Sequence, residues 1–214
     1  MSRVARTLLC GAMMLSGCSE YTVREGAPSP PVADPPGGED PGDAGTAPDW
    51  NSCQEGYLGH YLNLPATHPD LEPLDEAPPV EDPDVYDWWD EDRLSFERFD
   101  SSLDMGAGWW PVEEGLTGDP LWFAARWTAW VRATSAGDHD LVLGGTSDVF
   151  VLIDGELVAS VQGSETFEPV VVPVTLSAGQ FPLEVRFAHR KGESALRVRF
   201  ASEDVAVCFA EYDD

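Results

Sequence analysis

The residues in this sequence best equipped for chemistry are two tryptophan pairs and a large excess of carboxylates. Trp88-Trp89 lies in an acidic run made by Glu81, Asp82, Asp84, Asp87, Asp90, Glu91 and Asp92, and Trp109-Trp110 lies between Gly108 and Pro111 in a loop-like context. An indole face packs well against the apolar face of a pyranose ring, so all four tryptophans are candidate sugar contacts. Large rings embedded in charge also serve as buried anchors, and that reading is preferred for both pairs. Trp122, Trp127 and Trp130 fall in an apolar run that reads as a strand, which assigns them to the core.

Reactive groups of other kinds do not assemble. The chain has no HExxH, no GxSxG, no phosphate-binding glycine loop and no dinucleotide glycine motif. His60, His68, His139 and His189 are scattered without metal-ligand spacing. A glycosidase needs two carboxyl groups flanking the scissile bond, and here acids are so frequent that no pair stands out. The expectation is a non-catalytic protein, with a glycan-active hydrolase as the weakest alternative.

Charge narrows the partners. The sequence carries 12 basic and 39 acidic residues, a formal charge of −27. Such a surface repels nucleic acid and anionic lipid, which excludes both as binding partners. Five basic residues, Arg186, Arg190, Lys191, Arg197 and Arg199, fall on the outer faces and turn of one predicted hairpin, where they neutralise nearby carboxylates. Clustered carboxylates also suit hard cations such as calcium, although solubility explains the acidity equally well.

The N-terminus reads as an address. Arg3 and Arg6 precede a short apolar stretch from Leu8 to Leu15. It is far below the roughly 20 residues that span a bilayer, but it has the length of a signal-peptide core. It ends in Leu15-Ser16-Gly17-Cys18, which resembles the lipobox of bacterial lipoproteins. That resemblance implies cleavage of residues 1–17 and acylation of Cys18, the only membrane attachment expected. Ser19, where related proteins retained at the inner membrane carry aspartate, implies the outer membrane, at the cell surface or its periplasmic face. Cleavage removes Arg3 and Arg6, leaving ten basic residues against 39 acidic ones and a formal charge of −29.

Residues 18–49 then form a tether. Seven prolines and five glycines between Gly26 and Pro48, with no aromatic between Tyr21 and Trp50, cannot bury enough apolar surface to offset the entropy of ordering. A fully polyproline-like tether would reach roughly 90 Å.

Residues 50–214 read as one all-β domain. Leu183 to Phe187 and Leu196 to Phe200 alternate apolar and charged residues, as half-buried strands do. Val149 to Ile153 is apolar throughout and suits a strand covered on both faces; Asp154-Gly155 then reads as a hairpin turn before a return over Glu156 to Val161. Further strands are expected over Gly56 to Leu62, near Ser95, and over Trp122 to Val131, Asp140 to Gly144, Val170 to Leu176 and Val205 to Phe209. An antiparallel β-sandwich or barrel follows. The proline-rich stretch Leu64 to Val85 is expected as a surface excursion. After lipidation of Cys18 and loss of Cys10, Cys53 and Cys208 remain near the two ends of the domain. In an oxidising compartment they are expected to form a disulfide.

The runs GHYLNLPATHPD, YDWWDEDRLSFERFD, LWFAARWTAWVRATSAGDHDLVLGGTSDVFVLIDGELVAS and VTLSAGQFPLEVRFAHRKGESALRVRF occur in an order that resembles the protective-antigen-type β domain, especially its fibro-slime-like variants. The resemblance covers roughly residues 54–202. It implies a β-barrel or sandwich of the kind found in adhesins, toxins and glycosidases, often binding carbohydrate. In flocculin members two adjacent aspartates hold a calcium ion beside the sugar. Here the corresponding pair is Thr146-Ser147, followed by a single Asp148. Hydroxyls are poorer calcium ligands than carboxylates, which leaves the ion in doubt and makes Asp148 the one candidate for ligand or metal contact at that turn. Its alternative role is a loop aspartate bonding its own backbone; Asp154 also matches the family, but as a turn residue. The resemblance implies a displayed carbohydrate-binding or adhesion domain that contacts glycan or extracellular matrix. A structural or assembly lipoprotein gripping an envelope protein is the alternative.

Overall fold

A computed structural model describes residues 47–64, 80–107, 123–164, 166–189 and 193–210. The signal segment with Cys18, most of the tether and Trp109-Trp110 lie outside these residues. Among the described residues there are twelve strands: β1 (Gln54–Glu55), β2 (Tyr57–Asn63), β3 (Leu94–Asp100), β4 (Leu103–Ala107), β5 (Phe123–Ala133), β6 (Gly137–Gly145), β7 (Ser147–Ile153), β8 (Glu156–Ser164), β9 (Val170–Leu176), β10 (Gly179–His189), β11 (Ala195–Phe200) and β12 (Val205–Phe209). They make two antiparallel sheets rather than a closed barrel. The larger runs β1-β12-β5-β10-β7-β8, with β2 joining β5 and β3 pairing with β2; the smaller runs β4-β11-β6-β9.

Alternation decides which side chains fill the space between the sheets. Ala125, Trp127, Ala129 and Val131 of β5, with Leu183, Val185 and Phe187 of β10, face Leu141 and Leu143 of β6, Val172 and Val174 of β9, and Leu196 and Val198 of β11. Each fully buried aliphatic or aromatic chain contributes about 1.5–3 kcal/mol of transfer free energy. The all-apolar β7 has a separate cause. Val149, Val151 and Ile153 enter this interior, while Phe150 and Leu152 face outward into a second cluster with Trp88, Trp89, Leu62 and Leu64. The segment around residues 80–93 thus covers the outer face of the larger sheet, and Val80 packs into that cover.

Two local features carry the topology. At Gly56, φ is +132°, and an added Cβ would stand 2.5 Å from the Phe99 ring and 2.6 Å from the Asp100 carbonyl. Only glycine lets the chain cross there, from its place beside β12 in β1 to its place between β3 and β5 in β2. Asp154 and Gly155 have φ of 53° and 75°, the two positive values that the β7–β8 turn needs.

The basic hairpin expected from sequence is corrected. β10 and β11 belong to different sheets, because both bury an apolar face in the same interior and do so from opposite sides. Arg186 lies on the outer face of the larger sheet, over the Trp89 ring and bonded to Glu184 and Asp84. Arg197 and Arg199 lie on the smaller sheet and share Asp104 of β4. Arg190 and Lys191 are outside the described residues.

Candidate functional site

Among the described residues, nine polar or charged residues are buried, and six of them gather at one end of the sandwich: Thr146, Ser147, Asp148, Ser164, His189 and Ser194. The strand ends explain the gathering. β6 crosses to β7 at Thr146, β8 ends at Ser164, β10 ends at His189 and β11 begins at Ala195. Ser147 pairs with Ser164 and Asp148 with Ala188, which brings these ends into one patch.

The crossover has unusual backbone. Ser147 has φ of 72°, a left-handed value costly for a residue with a side chain. The β7–β8 register shifts between Ser147 and Val149, so Asp148 sits on a bulge. Its Oδ1 accepts the Gly163 backbone N–H at 2.9 Å. Thr146 makes a two-way bond with β11: its N–H donates to the Ala195 carbonyl, and its Oγ1 accepts the Ala195 N–H, both at 3.0 Å. Buried polar groups are retained at a cost unless such partners satisfy them. The crossover is therefore a built feature, held rigid from two neighbouring strands.

Asp148 is 4% exposed and reaches across to β8, where it accepts the Gly163 N–H. Thr146 and Ser147 are likewise interior. The resemblance implies a calcium ion beside Thr146-Ser147, where Asp148 is the carboxylate at hand. The carboxylate at this turn already accepts a backbone N–H, and no group of three or more His, Cys, Asp or Glu side chains that could hold a metal occurs among the described residues.

Trp88 and Trp89 are anchors. They are 1% and 5% exposed. The Trp88 ring stacks on Tyr86, and the Trp89 ring meets Phe150 edge-on. Trp89 Nε1 donates to the carbonyls of Ala125 and Phe187, both at 3.2 Å. A ring so enclosed cannot stack on a sugar. Trp127 and Trp130 are buried as well. Trp109 and Trp110 lie outside the described residues; in sequence they follow Ala107, which pairs with Ala195 at the polar end, after Gly108.

Sequence reasoning missed a second polar constellation. Asp100, 8% exposed, accepts Tyr61 Oη at 2.5 Å and Trp127 Nε1 at 2.8 Å on one oxygen, and Arg98 Nε at 2.8 Å on the other. Burial, then the Asp100 charge, pushes the Tyr61 hydroxyl well above the ordinary tyrosine range, and burial does the same to Tyr57. The four partners of this network are spread over β2, β3 and β5, so no local motif announces it. The remaining described histidines take structural roles: His60 lies 3.4 Å from Glu97, and His139 contacts Ser202 and the Ser135 carbonyl.

Cys53 and Cys208 form a disulfide, with Cα atoms 5.7 Å apart across 155 residues of sequence. It ties the 3-10 turn at Trp50–Ser52 to β12, next to the point where the tether enters the domain.

No family profile matches the sequence, and no curated protein matches it. Solved structures do match in fold. The PA14 domain of the MpAFP antifreeze protein aligns with a TM-score of 0.54 at 14% identity, over 80% of this chain and 98% of that one. The PA14 sugar-binding domain from an RTX adhesin aligns with a TM-score of 0.51 at 15% identity, over 69% of this chain and 89% of that one. An anti-sigma factor domain-containing protein aligns with a TM-score of 0.49 at 15% identity, over 70% of this chain; the chain spans only 43% of that protein's length. The all-β fold of the protective-antigen-type domain, PA14, is therefore present here.

Proposed function

We propose that this protein is a non-catalytic carbohydrate-binding or adhesion module, carried on an acylated Cys18 by the residue 18–49 tether and displayed from the outer membrane. The observation that carries this reading is the rigid polar end of the sandwich, where Thr146, Ser147 and Asp148 are fixed by β8 and β11. Trp109-Trp110 follows the strand that reaches the same end. The fold supports the reading, because one of its matches is a sugar-binding domain of an adhesin. The fibro-slime-like assignment rests on sequence resemblance and belongs to the same proposal.

Asp148 acts here as a positioning residue that shapes the crossover, and Trp109 and Trp110 supply the stacking faces. An anchored β domain with a reach of tens of ångströms suits contact with surface polysaccharide or matrix. The test is a glycan array probed with the soluble domain, in parallel with mass spectrometry of the membrane-extracted N-terminus. Binding to a surface glycan that falls on Trp109→Ala, together with a diacylglyceryl mass on Cys18, is the expected result. A blank array alongside a crosslinked envelope protein would replace adhesion by the assembly role.

A further inference from the structure

A separate concavity lies away from the polar end. It is a cleft of about 370 Å³ along the seam between the sheets, walled by β1 and β12 on one side and by β11 on the other. Pockets that enclose small ligands run from about 300 to 1,000 Å³, so it has room for a sugar ring. Its floor is apolar and buried, formed by Val198 and Tyr57. Trp50 and Phe200, both half-buried, add aromatic surface at the rim; Glu55, Ser101 and Ser102 add exposed polar groups.

The cleft has a structural origin. β4 pairs with β11 only as far as Val198, so that strand partner is missing beside Arg199 and Phe200. The Ser101-Ser102 turn between β3 and β4 closes one end instead. Two devices hold the opposite wall in place. The Cys53–Cys208 disulfide lines it, and the Arg132 guanidinium sits 4.5 Å from the Trp50 ring centroid.

We propose that this seam cleft is a second saccharide site, which takes one neutral hexose unit. Trp50 and Phe200 would meet the apolar face of the ring, and the Ser101 and Ser102 hydroxyls and the Glu55 carboxylate would bond its hydroxyls. The formal charge of −27 favours a neutral ligand over a uronate, and the lining itself is balanced, with the Glu55 carboxylate and the Arg199 guanidinium. A site beside the tether junction would grip glycan near the base of the domain, while the polar end is presented outward. The proposal goes beyond the adhesion reading and does not depend on Asp148.

Saturation-transfer NMR on the soluble domain with lactose, maltose and cellobiose at millimolar concentration tests it. In a Trp109→Ala, Trp110→Ala background, which silences the polar end, transfer to at least one disaccharide is expected, and adding Trp50→Ala abolishes it. Adding Phe200→Ala instead removes the second aromatic surface of the cleft and should weaken the transfer. Absence of transfer to all three sugars overturns the proposal. So does transfer in that background that persists undiminished after Trp50→Ala and after Phe200→Ala.

Discussion

Asp148 and Gly163 face each other across β7 and β8, and the aspartate's carboxylate holds the glycine's N–H at 2.9 Å where the register slips by one residue. The slip leaves a backbone donor without a ladder partner, and the side chain replaces the carbonyl that would have met it. Asp148→Ala should therefore strand a buried N–H, at a cost of about 1–3 kcal/mol, or roughly 2–4 °C in melting temperature per kcal/mol for a domain of this size. Asp148→Asn keeps an acceptor oxygen and should cost less. Thermal melts of both variants check the order. Equal losses would mean that charge, and not acceptance of the Gly163 N–H, is what the position requires.

The Cys53–Cys208 bridge closes nearly the whole domain into a loop. Most of its effect falls on the unfolded chain, whose freedom it restricts. Cys53→Ser with Cys208→Ser should destabilise the domain by about 2–5 kcal/mol, read as a lower denaturation midpoint in urea at unchanged native circular dichroism. The same double variant should loosen the Trp50 turn, visible as a shift of tryptophan fluorescence before global unfolding. A midpoint equal to that of the reduced parent protein would show that the serines add no packing defect of their own.

Tyr57 and Tyr61 should make the domain sensitive to alkali. Both hydroxyls are pushed above the usual tyrosine value by burial, with the Glu55 charge adding to Tyr57 and the Asp100 charge to Tyr61. Their folded pKa values are raised, so the fold favours the neutral phenol. That contribution is complete below the unfolded value of about 10 and is lost as pH climbs above it. Spectrophotometric titration should find these two tyrosines silent through the ordinary tyrosine range and ionising together with unfolding. Normal titration of all tyrosines in the native state would contradict the burial argument.

Face was legible in the sequence, and partnership was not. Leu183, Val185 and Phe187 could be assigned to a buried face by alternation alone, and so could Leu196 and Val198. Nothing in that pattern says which sheet a strand joins, and for this reason β10 and β11 looked like one hairpin. Turn chemistry was legible at Asp154-Gly155, where φ is set by residue type. The two-residue β1 is too short to leave a pattern, and β4 carries Asp104 and Gly106 in five residues. The polar end was visible only as Asp148 and its neighbours; Ser164, His189 and Ser194 reach it through pairing of strands far apart in sequence. The Asp100 network was invisible for the same reason.

Trp88 and Trp89 put the difference between an anchor and a ligand contact to a direct test. Phe150 and Leu152 leave an apolar stripe on the outer face of β7, and the two indoles cover it from a segment whose other residues are mostly acidic. Most carboxylates on that segment stay in solvent, Asp87 pairs with Arg93, and Arg186 joins Asp84 to the face of the Trp89 ring. Removing either indole opens a cavity that the rigid sheet cannot close, so Trp88→Ala and Trp89→Ala should each cost about 3–5 kcal/mol. Trp89→Ala should cost the more, because the carbonyls of Ala125 and Phe187 lose their indole donor. Chemical denaturation measures this. At temperatures where each variant remains folded, glycan binding should stay at the parent level. A stable variant with binding selectively lost would return these tryptophans to the ligand site.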